Sequence, residues 1–124
     1  MDVTNTAEPT EWEHPVQVST ALLSESVESE FDGNAVRSAA VTFRPGERTK
    51  FHTHAGVQVL YVIEGEGIVA TRDEERAVSS GDLIVFPPGE EHWHGNTTDA
   101  TEPFTHVYFL AERGDGELTV LEEP

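Results

Sequence analysis

Cysteine is absent from this 124-residue chain. That excludes disulfides, zinc–thiolate sites, iron–sulfur clusters and a thiol nucleophile. Lysine is nearly absent: Lys50 stands alone, and Lys and Arg together number 7 against 24 Asp and Glu. The formal net charge is −17. A surface of that sign repels nucleic acid, heparin and anionic membranes. No run approaches the roughly 18 consecutive apolar residues of a membrane helix. The opening MDVTNTAEPTEWEH lacks the basic start and apolar stretch of a secretory signal. These absences predict a cytoplasmic protein with no nucleic-acid and no membrane partner.

What is present suits one compact domain, long enough to bury a core without covalent staples. The acidic, lysine-poor composition fits an ordinary soluble acidic protein. It fits a halophilic one better, because dense carboxylates repel each other in dilute buffer and salt screens that repulsion. No tandem repeat, heptad or long helical period occurs. Residues 1 to 14 are polar and expected to be poorly ordered at their start. Val16-Gln17-Val18 alternates as a short strand does, and Ala21 to Glu30 is ambiguous. From Ala35 onward the pattern is all β. Strands are expected over Val36–Phe43, Lys50–His54, Val57–Ile63, Ile68–Thr71, Arg76–Val78, Leu83–Phe86, His92–His94 and Phe104–Leu110, with another at Glu117–Leu121. Gly, Pro and Asp turns separate them, the pattern of a sandwich or barrel.

Five of the six histidines lie between positions 52 and 106. In a strand, His52 and His54 share a face about 6.6 Å apart, close enough for both imidazoles to lean toward one ion. The same pair taken alone also fits two exposed strand histidines. Gln58 has matching parity unless Ala55-Gly56 bends the chain. His94 shares parity with His92, facing either the same pocket or the rim. Trp93 points the other way. Alternation along Phe104–Leu110 places His106, Tyr108 and Leu110 on one face. His14 is isolated in an acidic segment and expected at the surface. Arg48 and Lys50 stand near His52, able to attract an anionic substrate or to pair with the acidic surface.

Two longer patterns contain these residues. Residues 46–65 read G-x5-H-x-H-x3-Q-x6-G, and residues 81–96 read G-x5-P-x-G-x2-H-x3-N. They resemble the two cupin motifs, departing at one defined position, where Gln58 stands for Glu. The run from the first motif to Thr105-His106 is similar to the small manganese-binding cupins that include bacterial hydroxynitrile lyases. Its carriers are His52-Thr53-His54, Gly56, Gln58, His92-Trp93-His94-Gly95 and Thr105-His106.

The resemblance implies an all-β fold, a single-domain cupin jelly-roll β-barrel over residues 31–112. Residues 1–30 form a partly ordered N-terminal segment, and 113–124 a C-terminal strand or tail. It implies that His52, His54, Gln58 and His92 hold a divalent metal. Mn(II) is favoured, with Fe(II), Zn(II), Ni(II) or Co(II) also compatible with imidazole and amide donors. Gln58 is neutral, so it leaves the ion's charge uncancelled, and the ion a stronger Lewis acid. His106 and His94 are the expected proton carriers. The expected function is a metal-dependent enzyme acting on a small oxygenated substrate, in its most concrete form a hydroxynitrile lyase. A dioxygenase or a non-catalytic small-molecule-binding cupin is the alternative. A homodimer or larger homo-oligomer is expected, because short cupins leave sheet edges and apolar faces to cover.

The charge pattern makes its own prediction. The melting temperature rises between dilute buffer and molar KCl. A flat or falling melting temperature over that range removes the halophilic reading.

Overall fold

The computed structural model describes residues 1–113, 116 and 118–121. Among them there are twelve strands and no helix. In chain order these are β1 (Thr10–Trp12), β2 (Ala21–Leu23), β3 (Val27–Phe31), β4 (Asn34–Phe43), β5 (His52–Thr53) and β6 (Val57–Glu64). There follow β7 (Glu66–Thr71), β8 (Glu75–Ser79), β9 (Leu83–Phe86), β10 (His92–Gly95), β11 (Phe104–Arg113) and β12 (Thr119–Val120).

The strands form two antiparallel sheets. One runs β1-β2-β4-β11-β6-β9, with β3 also paired to β4, and the other runs β12-β5-β10-β7-β8. Strand alternation decides what faces inward. On β6, Gln58, Leu60 and Val62 are buried while Tyr61 and Ile63 are exposed. On β11 the buried set is Phe104, His106, Leu110 and Glu112, joined by Thr105 at its start, while Phe109 is exposed. The inner faces meet in a core that draws Val41, Leu60, Val62 and Phe86 from one sheet and Val69 and Val78 from the other. Phe43 and Phe104 stack at 6.1 Å and have no exposed surface. Each buried ring contributes about 1.5–3 kcal/mol by removal from water. The core fills one end of the barrel and becomes the floor of the site described below.

Several sequence-based expectations shift. Val16-Gln17-Val18 makes one isolated bridge, Gln17 to Thr49, rather than a strand. Thr10–Trp12, expected to lie in the polar opening, pairs with β2, whose Ala21 is fully buried. The ambiguous Ala21–Glu30 stretch forms β2 and most of β3, which pair successively along one edge of β4. The break between them is bridged by Ser24, whose hydroxyl accepts from the Ala40 amide at 2.9 Å. The last expected strand shortens to Thr119–Val120, and its first residue, Glu117, lies outside the described residues.

One glycine sets the spacing of the core. A Cβ on Gly67 would lie 2.3 Å from the Phe104 ring. The ring is walled in by Phe43 and has no open side to move toward. Gly67→Ala should therefore cost about 1–3 kcal/mol through overpacking, read as a lower urea midpoint at unchanged m-value.

Candidate metal centre and cavity

The histidines of the two motifs come from the five-stranded sheet. β5 carries His52, with His54 just beyond its end, and β10 carries His92 and His94. His92 pairs with His52 in register. One ligating atom from each of His52, His54 and His92 lies within 4.8 Å of the others. Gln58 reaches them by a different route from the one strand parity suggests. The turn at Ala55-Gly56 carries the chain from one sheet to the other, so Gln58 on β6 faces the histidines across the barrel. Glycine is required at this turn, since a Cβ on Gly56 would lie 2.0 Å from the Ala111 carbonyl oxygen.

Backbone carbonyls set the tautomers. Nδ1 of His52 donates to Lys50 O at 2.8 Å, and Nδ1 of His92 donates to Glu90 O at 2.8 Å. Each neutral ring then presents a bare Nε2, the form a metal requires. His92 Nε2 lies 3.0 Å from Gln58 Oε1. With Nδ1 carrying the proton, both facing atoms are acceptors, an approach that a cation bound to both relieves. Two ligands bound to one ion at about 2.1 Å and at right angles stand about 3.0 Å apart. His54 Nε2 is buried with no hydrogen-bond partner. The donor set therefore fits a divalent ion.

Behind this group sits a second pair. His94 Nδ1 and His106 Nε2 are 3.1 Å apart, from opposite sheets. Phe43 lies under both rings, at 5.7 Å from His94 and 5.6 Å from His106. Burial disfavours imidazolium throughout. It pushes His52 down to about 3 and His54 to about 4, each lowered further by His92. Burial takes His106 to about 3 against an opposing contact with the Val107 backbone, and holds His94 well below the ordinary range, with His106 adding to the effect on His94. His92 is lowered by burial and partly restored by its bond to Glu90. At neutral pH all five rings are uncharged.

The rings of His52, His54, His94 and His106 border a cavity of about 210 Å³. This is smaller than the roughly 300–1,000 Å³ of drug-sized sites, and suits a small molecule. Among the described residues, the buried side-chain polar atoms without a partner are Gln17 Nε2 and Oε1, His54 Nε2, His94 Nε2, His106 Nδ1 and Glu112 Oε2. All five residues line this cavity. Orphaned buried polar atoms are rare and each calls for a reason. Their convergence on one space makes it the candidate site for a polar ligand.

Three lining residues escaped the sequence reading. Arg37 and Glu112 form an ion pair of 2.7 Å at the cavity wall, with the Glu112 side chain almost wholly buried. Both follow from strand parity carried one step further. Arg37 shares the inner face of β4 with Val41 and Phe43, and Glu112 continues the His106, Tyr108, Leu110 series. Gln17 had no such signal, because its segment is not a strand. Arg48 and Lys50 do not line the cavity; the Arg48 guanidinium lies 4.0 Å over the Trp93 ring, outside the barrel interior. His14 is exposed, as expected, but borders the cavity, its ring tilted against that of Trp12 with centroids 5.2 Å apart.

Comparison with known proteins agrees with this geometry. Across 87 residues, 69% of this chain and 64% of the relative, the sequence is 40% identical to an (R)-mandelonitrile lyase of Granulicella tundricola. Over 60 residues it is 43% identical to a gentisate 1,2-dioxygenase of a Ralstonia species, but those residues span 16% of that enzyme. The chain thus spans under two thirds of the lyase's length and far less of the dioxygenase's. In structure it matches a cupin-like protein of Thermotoga maritima with a TM-score of 0.72 and 24% identity, covering 99% of this chain and 90% of that one. The family model described as the cupin domain matches residues 39–108, which include His52, His54, Gln58, His92, His94 and His106. With that match over more than half its length, the chain belongs to the cupin family.

Proposed function

We propose that this cupin is a metal-dependent enzyme that cleaves a small neutral substrate of the cyanohydrin type. The observation that carries the reading is the cavity in which a set of bare imidazole nitrogens and a neutral histidine pair converge. The similarity to a mandelonitrile lyase supports it. His52, His54, His92 and Gln58 would hold the ion, with Mn(II) favoured. A bound divalent ion supplies Lewis acidity toward the substrate oxygen.

The chain's own contribution is proton transfer without net charge. His94 and His106 share one proton across their 3.1 Å contact. Each ring is neutral and carries one N–H. Whichever nitrogen owns the shared proton, the two outer atoms, His94 Nε2 and His106 Nδ1, are then one donor and one acceptor. The acceptor takes the substrate hydroxyl proton, the carbon–cyanide bond breaks with its electron pair on cyanide, and the donor protonates that anion. The shared proton shifts between the rings in the same event. An aldehyde and hydrogen cyanide leave, and the pair ends as its other tautomer. This exchange replaces simple uptake of a proton by one histidine, which burial makes costly.

A dioxygenase is the second reading, favoured by the similarity to the gentisate enzyme. An anaerobic assay with mandelonitrile separates the two. Mn(II)-loaded protein should release benzaldehyde without oxygen. His106→Ala and His94→Ala should each lower kcat by about 10²–10⁴-fold while keeping the metal. Oxygen uptake on gentisate with no turnover of any cyanohydrin would favour the dioxygenase.

The metal assignment is checked separately. Elemental analysis should find one ion per chain in the wild type and none in the His52→Ala/His54→Ala double variant. Full occupancy in that variant would place the ion elsewhere.

A further inference from the structure

Outside the motif residues, the cavity holds one side chain whose two polar atoms are both unpaired. Gln17 is 4% exposed, and neither Nε2 nor Oε1 has a partner. It precedes the residues matched by the cupin model, on the segment between β1 and β2. Backbone bonds fix that segment against the five-stranded sheet. Val18 N donates to Arg48 O at 3.0 Å, and Lys50 N donates to Val16 O at 2.7 Å. Gln17 itself bridges Thr49, whose hydroxyl accepts from the His94 amide at 3.1 Å. The amide is thereby carried to the cavity beside the His94–His106 pair.

A folded chain has cheap ways to avoid burying an idle amide, because methionine or leucine has nearly the same volume. Two unmet polar atoms in a buried cavity are a cost unless something fills them. The surrounding chemistry narrows what that is. Gln17 offers a donor and an acceptor side by side. Glu112 Oε2 is a further acceptor, and the cavity's arginine, Arg37, is already engaged by Glu112 Oε1. A carboxylate brings acceptors only, and would face Gln17 Oε1 and Glu112 Oε2. An apolar group would leave every one of these atoms unmet. A neutral group with both a donor and an acceptor, separate from the hydroxyl that the ion and the histidine pair would take, satisfies them, and a carboxamide is such a group.

We propose that Gln17 is a specificity-determining residue of the cavity, its side-chain amide binding a neutral donor-and-acceptor group of the substrate beside the histidine pair. The inference rests on the reading of the cavity as a substrate site, and makes the segment between β1 and β2 part of that site.

The test uses two unreactive probes on the metal-replete protein: mandelamide, and 1-phenylethanol, which keeps the ring and hydroxyl but has methyl in place of carboxamide. Calorimetry should show mandelamide binding at least about tenfold more tightly than 1-phenylethanol to the wild type, a margin of the size one well-placed hydrogen bond gives. Gln17→Met should abolish that preference while 1-phenylethanol binds as before, which shows the cavity intact. The ligand-free variant should also melt higher, by about 3–5 °C, since an idle buried amide is gone. A preference unchanged in Gln17→Met, no mandelamide binding to the wild type, or a lower melting temperature in the variant would overturn the proposal. None of these readouts depends on turnover, so a failed cyanohydrin assay would count against the reaction and leave the Gln17 result standing.

Discussion

Desolvation of the histidines governs this site. Five imidazoles stand close together, backed by Phe43, Phe86 and Phe104, where a positive charge on any one is unfavourable. Each ring is therefore neutral, and each has one donor and one acceptor nitrogen. The carbonyls of Lys50 and Glu90 take up the donors of His52 and His92, and His94 and His106 bond each other. What remains are the bare Nε2 atoms of His52 and His92 and, from the His94–His106 pair, one donor and one acceptor. The aromatic core thus does more than stabilise the fold: by excluding water it sets the protonation state on which the proposed metal binding and proton exchange would both depend.

The two-sheet architecture delivers these groups from opposite directions. His52, His54, His92 and His94 come from the five-stranded sheet, Gln58 and His106 from the seven-stranded one. Facing sheets stand about 10 Å apart, so side chains from both meet at the middle. The neutral interior contrasts with a chain whose net charge is −17. The ion pair in the cavity wall joins Arg37 to Glu112, so its two charges largely cancel. Under the proposed function, a substrate would then be selected more by hydrogen bonding and size than by charge. The orphaned polar atoms weaken the ligand-free fold, and the tight core around Phe43, Gly67 and Phe104 offsets that cost.

The strands with strong alternation are legible in the amino-acid pattern alone. β4, β6, β9 and β11 appear where β-branched and apolar residues concentrate between turn residues. Alternation also places His106 on the inner face of β11. It is less reliable at short elements. β5 has two residues, and its hydrogen-bonding partners β10 and β12 lie far along the chain, so its bounds follow from neighbours. The first thirty residues show the same effect, since β2 and β3 are strands because β4 offers them an edge, and β1 because β2 does.

By itself the sequence determined the all-β class, the cupin motifs and the identity of the imidazole donors, because period-two alternation and fixed turn spacings are local properties of the chain. The tertiary structure decided how those donors meet. Gln58 faces the histidines because a turn changes sheet, not because its parity matches His54. The His94–His106 bond joins residues on opposite sheets, and no spacing along the chain encodes that contact. Arg37, Glu112 and Gln17 became cavity residues only when three distant segments closed around one space. Burial and unmet hydrogen bonds belong to that enclosure, and enclosure is a property of the folded chain alone.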